Sequence, residues 1–346
     1  MQRHAEPIFP LRDAWLPILP VVPLVLSAVL LSWLIDAARK LDFLTILPVH
    51  FVALPQREYI HLGDMLTYYS LAAFHTLLCA AVVATFTTWM LRLPAQRFRG
   101  TAIFLAVVSL LIVIIVIFFG VFANQQVLVQ LGYKVTCELI DTADLATELT
   151  PLGCWTAGIN RLTWLAWLPT FSGMVTVAFA AAFAYATARG LPPTDDKNAR
   201  NTSVWREAVD FRVKALQRSV YLLSAVLVSS TVTITAFAHL PVGLLANSDE
   251  AFPLATAVSK YASGLSTFWG TVFSFTLIFT FAVPALLVLR EAYGGDSAVH
   301  DGVDFRLWLN EHVFQSVKRQ LGTMLSLLAP LLVGPLSSLL SSFAQF

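Results

Sequence analysis

The residues best suited to chemistry in this chain stand in the sequence EYIHLGD, which holds Glu58, His61 and Asp64, with His50 shortly before it. A glutamate three positions before a histidine can place two metal ligands on one face of a helix. Metal centres of this kind need a second such pair or an HExxH sequence, and this chain has a single pair. The sequence therefore favours a solvated loop here over a metal site.

No other motif points to an enzyme. The chain contains no GxSxG, no glycine-rich phosphate loop and no Walker sequence, and these carry the common nucleophilic and nucleotide-dependent activities. Haem would require paired histidines, and His75 has no evident partner in the sequence. We therefore predict no cofactor, no metal and no catalytic residue.

Composition identifies the class of protein. Apolar residues make up 57% of the 346 residues and Asp, Glu, Lys and Arg only 12%, and the mean hydropathy is +0.73. Soluble proteins carry about twice that share of charged residues. The net charge of +1 gives no argument for nucleic-acid binding. These values predict an all-α membrane protein with several spans and the lipid bilayer as its main partner.

Seven apolar stretches approach the roughly 20 residues that a helix needs to cross a bilayer. They are residues 14–35, 66–91, 101–123, 163–188, 219–243, 264–289 and 321–343. The first is too long for a secretory signal and is interpreted as a retained helix. The last contains Pro330, Gly334 and Pro335, so it could be re-entrant instead of spanning.

The distribution of basic residues predicts the orientation. With the N-terminus inside, 16 Lys and Arg residues fall on inner segments and 6 on outer segments. Basic residues concentrate on the cytoplasmic side, so we expect a cytoplasmic N-terminus and an external C-terminus in a plasma or inner membrane. The chain divides into an N-terminal part, residues 1–162 with a long outer loop at 124–162, and a C-terminal part, residues 163–346.

Short sequences recur in the C-terminal part. VDFR occurs at 209–212 and 303–306, preceded by TFSGMV and TFWGTV and followed by LQRSV and FQSVKR in the same order. Both copies run from an outer to an inner and back to an outer position. We predict a parallel internal repeat over 163–343, related by an axis along the membrane normal.

The two VDFR sequences would form equivalent elbows. Asp and Arg two positions apart do not face each other on a helix, so each charge must find a partner elsewhere. One interpretation pairs Asp210 with Arg306 and Asp304 with Arg212. In the other, each Asp caps a helix start and each Arg binds lipid headgroups.

The stretches around these elbows, near 203–220 and 303–321, are amphipathic. An apolar stripe with a basic flank suits a helix lying at the inner lipid surface before it turns into a span. A cytoplasmic helix packed on neighbouring loops would give the same pattern.

Two further patterns lie within the spans. The span at 163–188 carries Ser172, Thr176, Ala180, Ala184 and Ala188 at intervals of four, which predicts close helix packing. Hydroxyl residues on the two repeat-related spans could line an aqueous path; they are Ser224, Thr231, Thr235, Ser337 and Ser341. Alternatively, such hydroxyls donate to the carbonyl four residues earlier on their own helix.

The cysteines give one prediction. The three cysteines include no CxxC pair, so zinc or thiol-redox chemistry is not indicated. Cys137 and Cys154 share the long outer loop, where an oxidising compartment favours a disulfide. The alternative is two free thiols.

The only ionisable side chains well inside the spans are His75 and the thiol of Cys79, with His239 near an outer end, which argues against a pump that relays charge. We therefore expect a passive channel or facilitator that acts as a homo-oligomer. The alternative is a membrane-embedded interaction or effector component, for example a membrane-disrupting one, that docks a cytoplasmic or membrane partner through its inner helices.

Overall fold

The computed structural model describes five segments of the chain, and every one of them is helical. We name the helices α1, Pro55–Leu91; α2, Arg161–Arg189; α3, Ser203–Leu245; α4, Phe252–Asp296; and α5, Leu321–Val333. The other described positions are Arg92 and residues 20, 22, 23, 26, 103, 106, 107 and 111. Within these residues there is no strand, in keeping with the expected all-α fold.

Four of the helices are long and apolar enough to cross a membrane. Their apolar stretches are Leu66–Leu91, Leu168–Ala188, Val209–His239 and Ala262–Leu289. These match four of the seven predicted spans. Apart from the single positions given above, the predicted spans 14–35 and 101–123 lie outside the described residues, as does the end of the last span beyond Val333. By itself, α5 is too short to cross about 30 Å of hydrocarbon.

Prolines mark one helix start and two interior positions. Pro55 opens α1, where a missing N–H costs nothing because the first turn has no intrahelical acceptor for it. Pro169 and Pro284 lie inside α2 and α4, and each leaves one carbonyl of the preceding turn without its usual helical bond. Packed membrane helices tolerate this when neighbouring side chains take over the freed group.

Helices α1 and α2 run in the same direction. Near one end, His75 of α1 lies beside Gly173 of α2. Towards the other end, Phe86 of α1 and Phe183 of α2 stack with ring centroids 5.6 Å apart. Residue numbers therefore rise together along the contact, as they do only between parallel helices.

Helix α3 runs against α1 and along α5. Thr233 contacts the Leu71 carbonyl and Ser229 contacts His75. Residue numbers therefore rise along α1 while they fall along α3, so the two helices are antiparallel. In contrast, Ser224 donates to the carbonyl of Ser326, one turn beyond a contact between Tyr221 and Thr323. Only residues 246–251 separate α3 from α4, and the two pack as a hairpin in which Thr235 meets Ser266.

Helix α2 lies at the centre of the bundle. Its span is 72% buried, against 28% for α1. Thr176, Ala180, Ala184 and Ala188 are fully buried, but so are most of their neighbours from Val177 onward. The predicted small-residue stripe is therefore part of a helix that is covered on nearly all sides, and its alanines allow that close packing.

Helix α3 corrects the prediction of a separate inner helix before the fifth span. The predicted amphipathic stretch 203–220 and the following span form a single uninterrupted helix of 43 residues. At 1.5 Å per residue this helix is about 65 Å long, roughly twice the hydrocarbon thickness. The second predicted amphipathic stretch, 303–321, lies outside the described residues apart from Leu321.

Candidate functional site

The imidazole of His75 lies where α1, α2 and α3 meet, and its side chain is fully buried. Its Nδ1 is 2.8 Å from the Ser229 hydroxyl on α3. Its Nε2 is 3.2 Å from the Pro169 carbonyl oxygen on α2. One side chain thus ties three membrane helices together through two polar contacts.

The partners of His75 determine its tautomer. A carbonyl oxygen can only accept a hydrogen bond, so the proton of a neutral imidazole is assigned to Nε2, which donates to Pro169. Nδ1 is then an acceptor, and the hydroxyl of Ser229 donates to it. Both ring nitrogens are satisfied without a charge, as an apolar interior requires.

Cys79 lies one turn further along α1 and extends the cluster. Its sulfur is 3.4 Å from His75 Nε2. The sequence identifies His75 and Cys79 as ionisable groups inside a span. It gives no sign of Ser229 or Pro169 as partners, because those contacts join residues far apart in the chain.

A serine hydroxyl that donates to a histidine resembles the nucleophile–base pair of a hydrolase. Such an enzyme also needs backbone N–H groups free to stabilise an oxyanion. Ser229 lies in the middle of α3, where the N–H groups are engaged in the helix itself. The geometry favours a polar tie between helices over a catalytic pair.

The three described residues of the predicted path are buried, and their hydroxyls bond to protein groups. Thr231 donates to the carbonyl of Leu227 on its own helix. Thr235 donates to the Thr231 carbonyl and contacts Ser266 of α4. Ser224 donates to the Ser326 carbonyl of α5 at 2.6 Å. Thr231 therefore forms the bond to its own helix that the alternative interpretation describes; Ser337 and Ser341 lie outside the described residues.

Buried polar side chains continue along the bundle interior. Apart from those named above, the buried polar residues include Thr187, Ser219, Ser230, Ser274, Thr276 and Thr280. Among the described residues, the hydroxyls of Tyr69, Thr187 and Ser274 are buried and have no hydrogen-bond partner. Buried hydroxyls of this kind are usually met by water or by a ligand.

The first VDFR elbow does not adopt the predicted arrangement in which Asp210 caps a helix start. The carboxylate of Asp210 pairs with Lys214 on the same helix. α3 begins at Ser203, so Asp210 does not cap its start. Arg212 is only 6% exposed, which argues against headgroup binding by this residue. Asp304 and Arg306 lie outside the described residues, so their cross-repeat pairs stay predictions.

The glycines of the two TFxGxV sequences both face a neighbouring helix. A β-carbon on Gly270 would lie 2.3 Å from the carbonyl oxygen of Pro330, a distance no side chain can adopt. A β-carbon on Gly173 would lie 3.5 Å from His75 Nε2, an ordinary contact. The second copy therefore requires glycine for the close approach of α4 and α5, whereas the first does not. The internal repeat itself remains a prediction.

The EYIHLGD sequence lies within α1, whereas the sequence favoured a loop there. Burial raises the pKa of the Asp64 carboxyl above its usual value. The side chains of Glu58 and His61 lie outside the described set, and no group of three metal-binding side chains occurs in the described part of the chain.

Cys79 is a buried free thiol. Cys137 and Cys154, and with them the predicted disulfide, lie outside the described residues.

Comparison with known proteins does not assign the chain to a family. No protein family, no curated protein and no solved structure matches this chain. The function must therefore be argued from the residues and their contacts.

Proposed function

We propose that the protein is a passive channel or facilitator that acts as a homo-oligomer. The observation that supports this is the series of buried polar side chains on α3, which contact α1, α4 and α5. Its buried polar side chains begin at Arg212 and end at Thr235, a separation of about 35 Å along a helix. From Ser219, where the uncharged part of α3 begins, to Thr235 the separation is about 24 Å, so buried polar groups extend over most of the hydrocarbon thickness of about 30 Å.

The buried hydroxyls of α3 can still accept a hydrogen bond from a passing solute. Ser219, Thr231 and Thr233 each donate to the carbonyl four residues earlier, but a hydroxyl oxygen that donates can still accept. The unpartnered hydroxyls of Thr187 and Ser274 add two free donors. A polar solute or water would satisfy these groups, whose burial without partners is otherwise costly.

The lack of buried carboxylates among the described residues supports passive transport. Among the described residues, no aspartate or glutamate is buried. Pumps coupled to protons or sodium commonly keep carboxylates inside the membrane despite their cost. The proposed permeant therefore moves down its own gradient.

Helix α1 supports the oligomer. Only 28% of its span is buried within the chain. Its outward face carries Ala80, Ala84 and Thr88 at intervals of four, all exposed. Small residues at this spacing let a helix of a second copy approach closely in lipid.

The proposal is tested by reconstituting the purified protein in liposomes and measuring the flux of ions and of small neutral solutes. Thr231→Val keeps the side-chain volume and removes one buried hydroxyl, so we expect a several-fold change in flux or selectivity. Thr67→Val is the matched control, because Thr67 forms the same bond to its own helix but is exposed and lies outside the proposed oligomer face. Equal effects of both variants would place the path elsewhere. Absence of flux under every condition would reject the proposal and favour the interaction component.

A further inference from the structure

One exposed face of α3 combines basic and aromatic side chains. Phe211, Lys214, Arg218 and Tyr221 follow one another at intervals of three and four residues, which places them on the same side of the helix. Phe211 is 63% and Tyr221 38% exposed, the Lys214 side chain is 43% exposed, and Arg218 is exposed as well. We call these four residues the basic stripe.

The charges near the basic stripe are ordered along the helix axis. Glu207, which is exposed, and Asp210 come first; Lys214 and Arg218 follow, and from Ser219 to Leu245 there is no Asp, Glu, Lys or Arg. Asp210 partly neutralises Lys214. No carboxylate among the described residues lies within ion-pair distance of Arg218. Arg218 is therefore the principal cation of the stripe.

This order fixes the depth of the stripe in a bilayer. An exposed guanidinium is costly within hydrocarbon, so Arg218 must lie at the level of the lipid headgroups, at the edge of the uncharged part of α3. Asp210, about 12 Å further back along the axis, then faces water. Tyr221 lies at the interface, where aromatic side chains are enriched.

Helix α5 adds an apolar surface beside the stripe. Tyr221 Oη lies 3.3 Å from Thr323 Oγ1 near the start of α5, and α5 then runs parallel to α3 away from the cations. Its outward side chains are apolar and 43–63% exposed; they are Leu321, Met324, Leu325, Leu328 and Leu332. A molecule held at Arg218 by a negative headgroup could lay an acyl chain along them.

We propose that the basic stripe binds the phosphate of an anionic phospholipid, whose acyl chains pack on the exposed face of α5. Arg218 supplies paired N–H donors to the phosphate oxygens, and Lys214 supplies a second positive charge. A free phosphate ion would use only the cations and would leave the adjoining apolar face without a role. The site is independent of whether the protein transports a solute.

The test is native mass spectrometry of the purified protein in detergent, titrated with phosphatidylglycerol or phosphatidylcholine. We expect preferential retention of phosphatidylglycerol, weakened about tenfold in Lys214→Gln/Arg218→Gln, because the charge-assisted hydrogen bonds to the phosphate are lost. Lys260→Gln is the matched control, an exposed lysine at the opposite end of the bundle. Arg218→Lys, which keeps the charge but loses the fork, should give an intermediate loss even if the double variant fails to fold.

Three results would overturn the proposal. The first is an unchanged preference for phosphatidylglycerol in both stripe variants. The second is an equal loss in Lys260→Gln, which would mean that any surface cation suffices. The third is displacement of the lipid by millimolar inorganic phosphate, which would assign the site to the free ion.

Discussion

Ser229 and His75 are 154 positions apart in the chain, yet the serine hydroxyl and Nδ1 of the imidazole lie 2.8 Å apart inside the bundle. This bond, together with the contact of Nε2 with Pro169, joins α1 to both α2 and α3. Hydrogen bonds between membrane helices contribute about 0.6 kcal/mol on average and up to about 1.7. The imidazole of His75 is fully buried and Ser229 is partly exposed, so we expect a contribution within this range.

The first prediction concerns this bond. We expect Ser229→Ala and His75→Phe each to lower the free energy of unfolding in detergent by about 1–3 kcal/mol, since each leaves a buried polar partner unsatisfied. A double-mutant cycle should give a coupling of about 0.5–1.7 kcal/mol. Thr88→Ala, which removes an outward hydroxyl bonded only to its own helix, should cost less than about 0.5 kcal/mol. Strictly additive effects would show that the two residues do not interact.

The second prediction concerns the contact of α4 with α5. Gly270→Ala should destabilise the protein by about 1–3 kcal/mol or more, since the added methyl group meets the Pro330 backbone and the helices must separate. Gly264→Ala is the control on the same helix, with nothing within 4 Å of the added carbon. It should be neutral or stabilising by up to about 1 kcal/mol, because alanine favours the helix. Equal thermal stability of the two variants in detergent would contradict the close approach.

The third prediction distinguishes a local from a cross-repeat partner for Asp210. The structure pairs Asp210 with Lys214 at partial exposure, and such a pair four residues apart contributes only about 0.3–0.5 kcal/mol. The free energy of unfolding that is lost in Asp210→Lys should therefore be restored when Lys214→Asp is added. The difference in free energy of unfolding between wild type and Asp210→Lys should shrink in high salt. Rescue of Asp210→Arg by Arg306→Asp alone would instead establish the clamp between the two VDFR elbows.

How far the sequence predicts this fold can be judged on α3 and His75. Hydropathy located all four described spans, because the length of an apolar run is a local property. The continuity of α3 was also within reach of the sequence, since no glycine or proline occurs between Ser203 and Leu240. The partners of His75 cannot be predicted in this way, because the residues next to it in the sequence do not indicate which distant serine or carbonyl lies beside its ring. The bond of Thr231 to its own helix can be predicted, because its acceptor lies four residues away in the sequence. The contact of Ser224 with α5 cannot, because its partner is distant in the chain.

The fourth prediction concerns the cysteines of the predicted outer loop. A disulfide between Cys137 and Cys154 would stabilise the protein by roughly 3 kcal/mol in the chain-entropy model. Peptide mass mapping under non-reducing conditions should find the two linked, while Cys79, which is buried, stays free. Two alkylated thiols at 137 and 154 in unreduced protein would end this prediction.

The fifth prediction concerns orientation. The distribution of basic residues places the C-terminus outside. A reporter that is active only outside the cytoplasm, fused after Phe346, should therefore be active. Cytoplasmic activity alone would mean that the chain end returns to or stays on the inner side.

The parallel packing of α1 and α2 constrains the count of membrane crossings. Two neighbouring helices that run the same way both enter from one side and leave on the other. If α1 and α2 both cross the bilayer, the chain must therefore return to the first side between Leu91 and Arg161, which takes an odd number of crossings. Of the predicted spans only 101–123 falls in that interval. If α3 and α4 cross the bilayer as well, the chain has at least five spans.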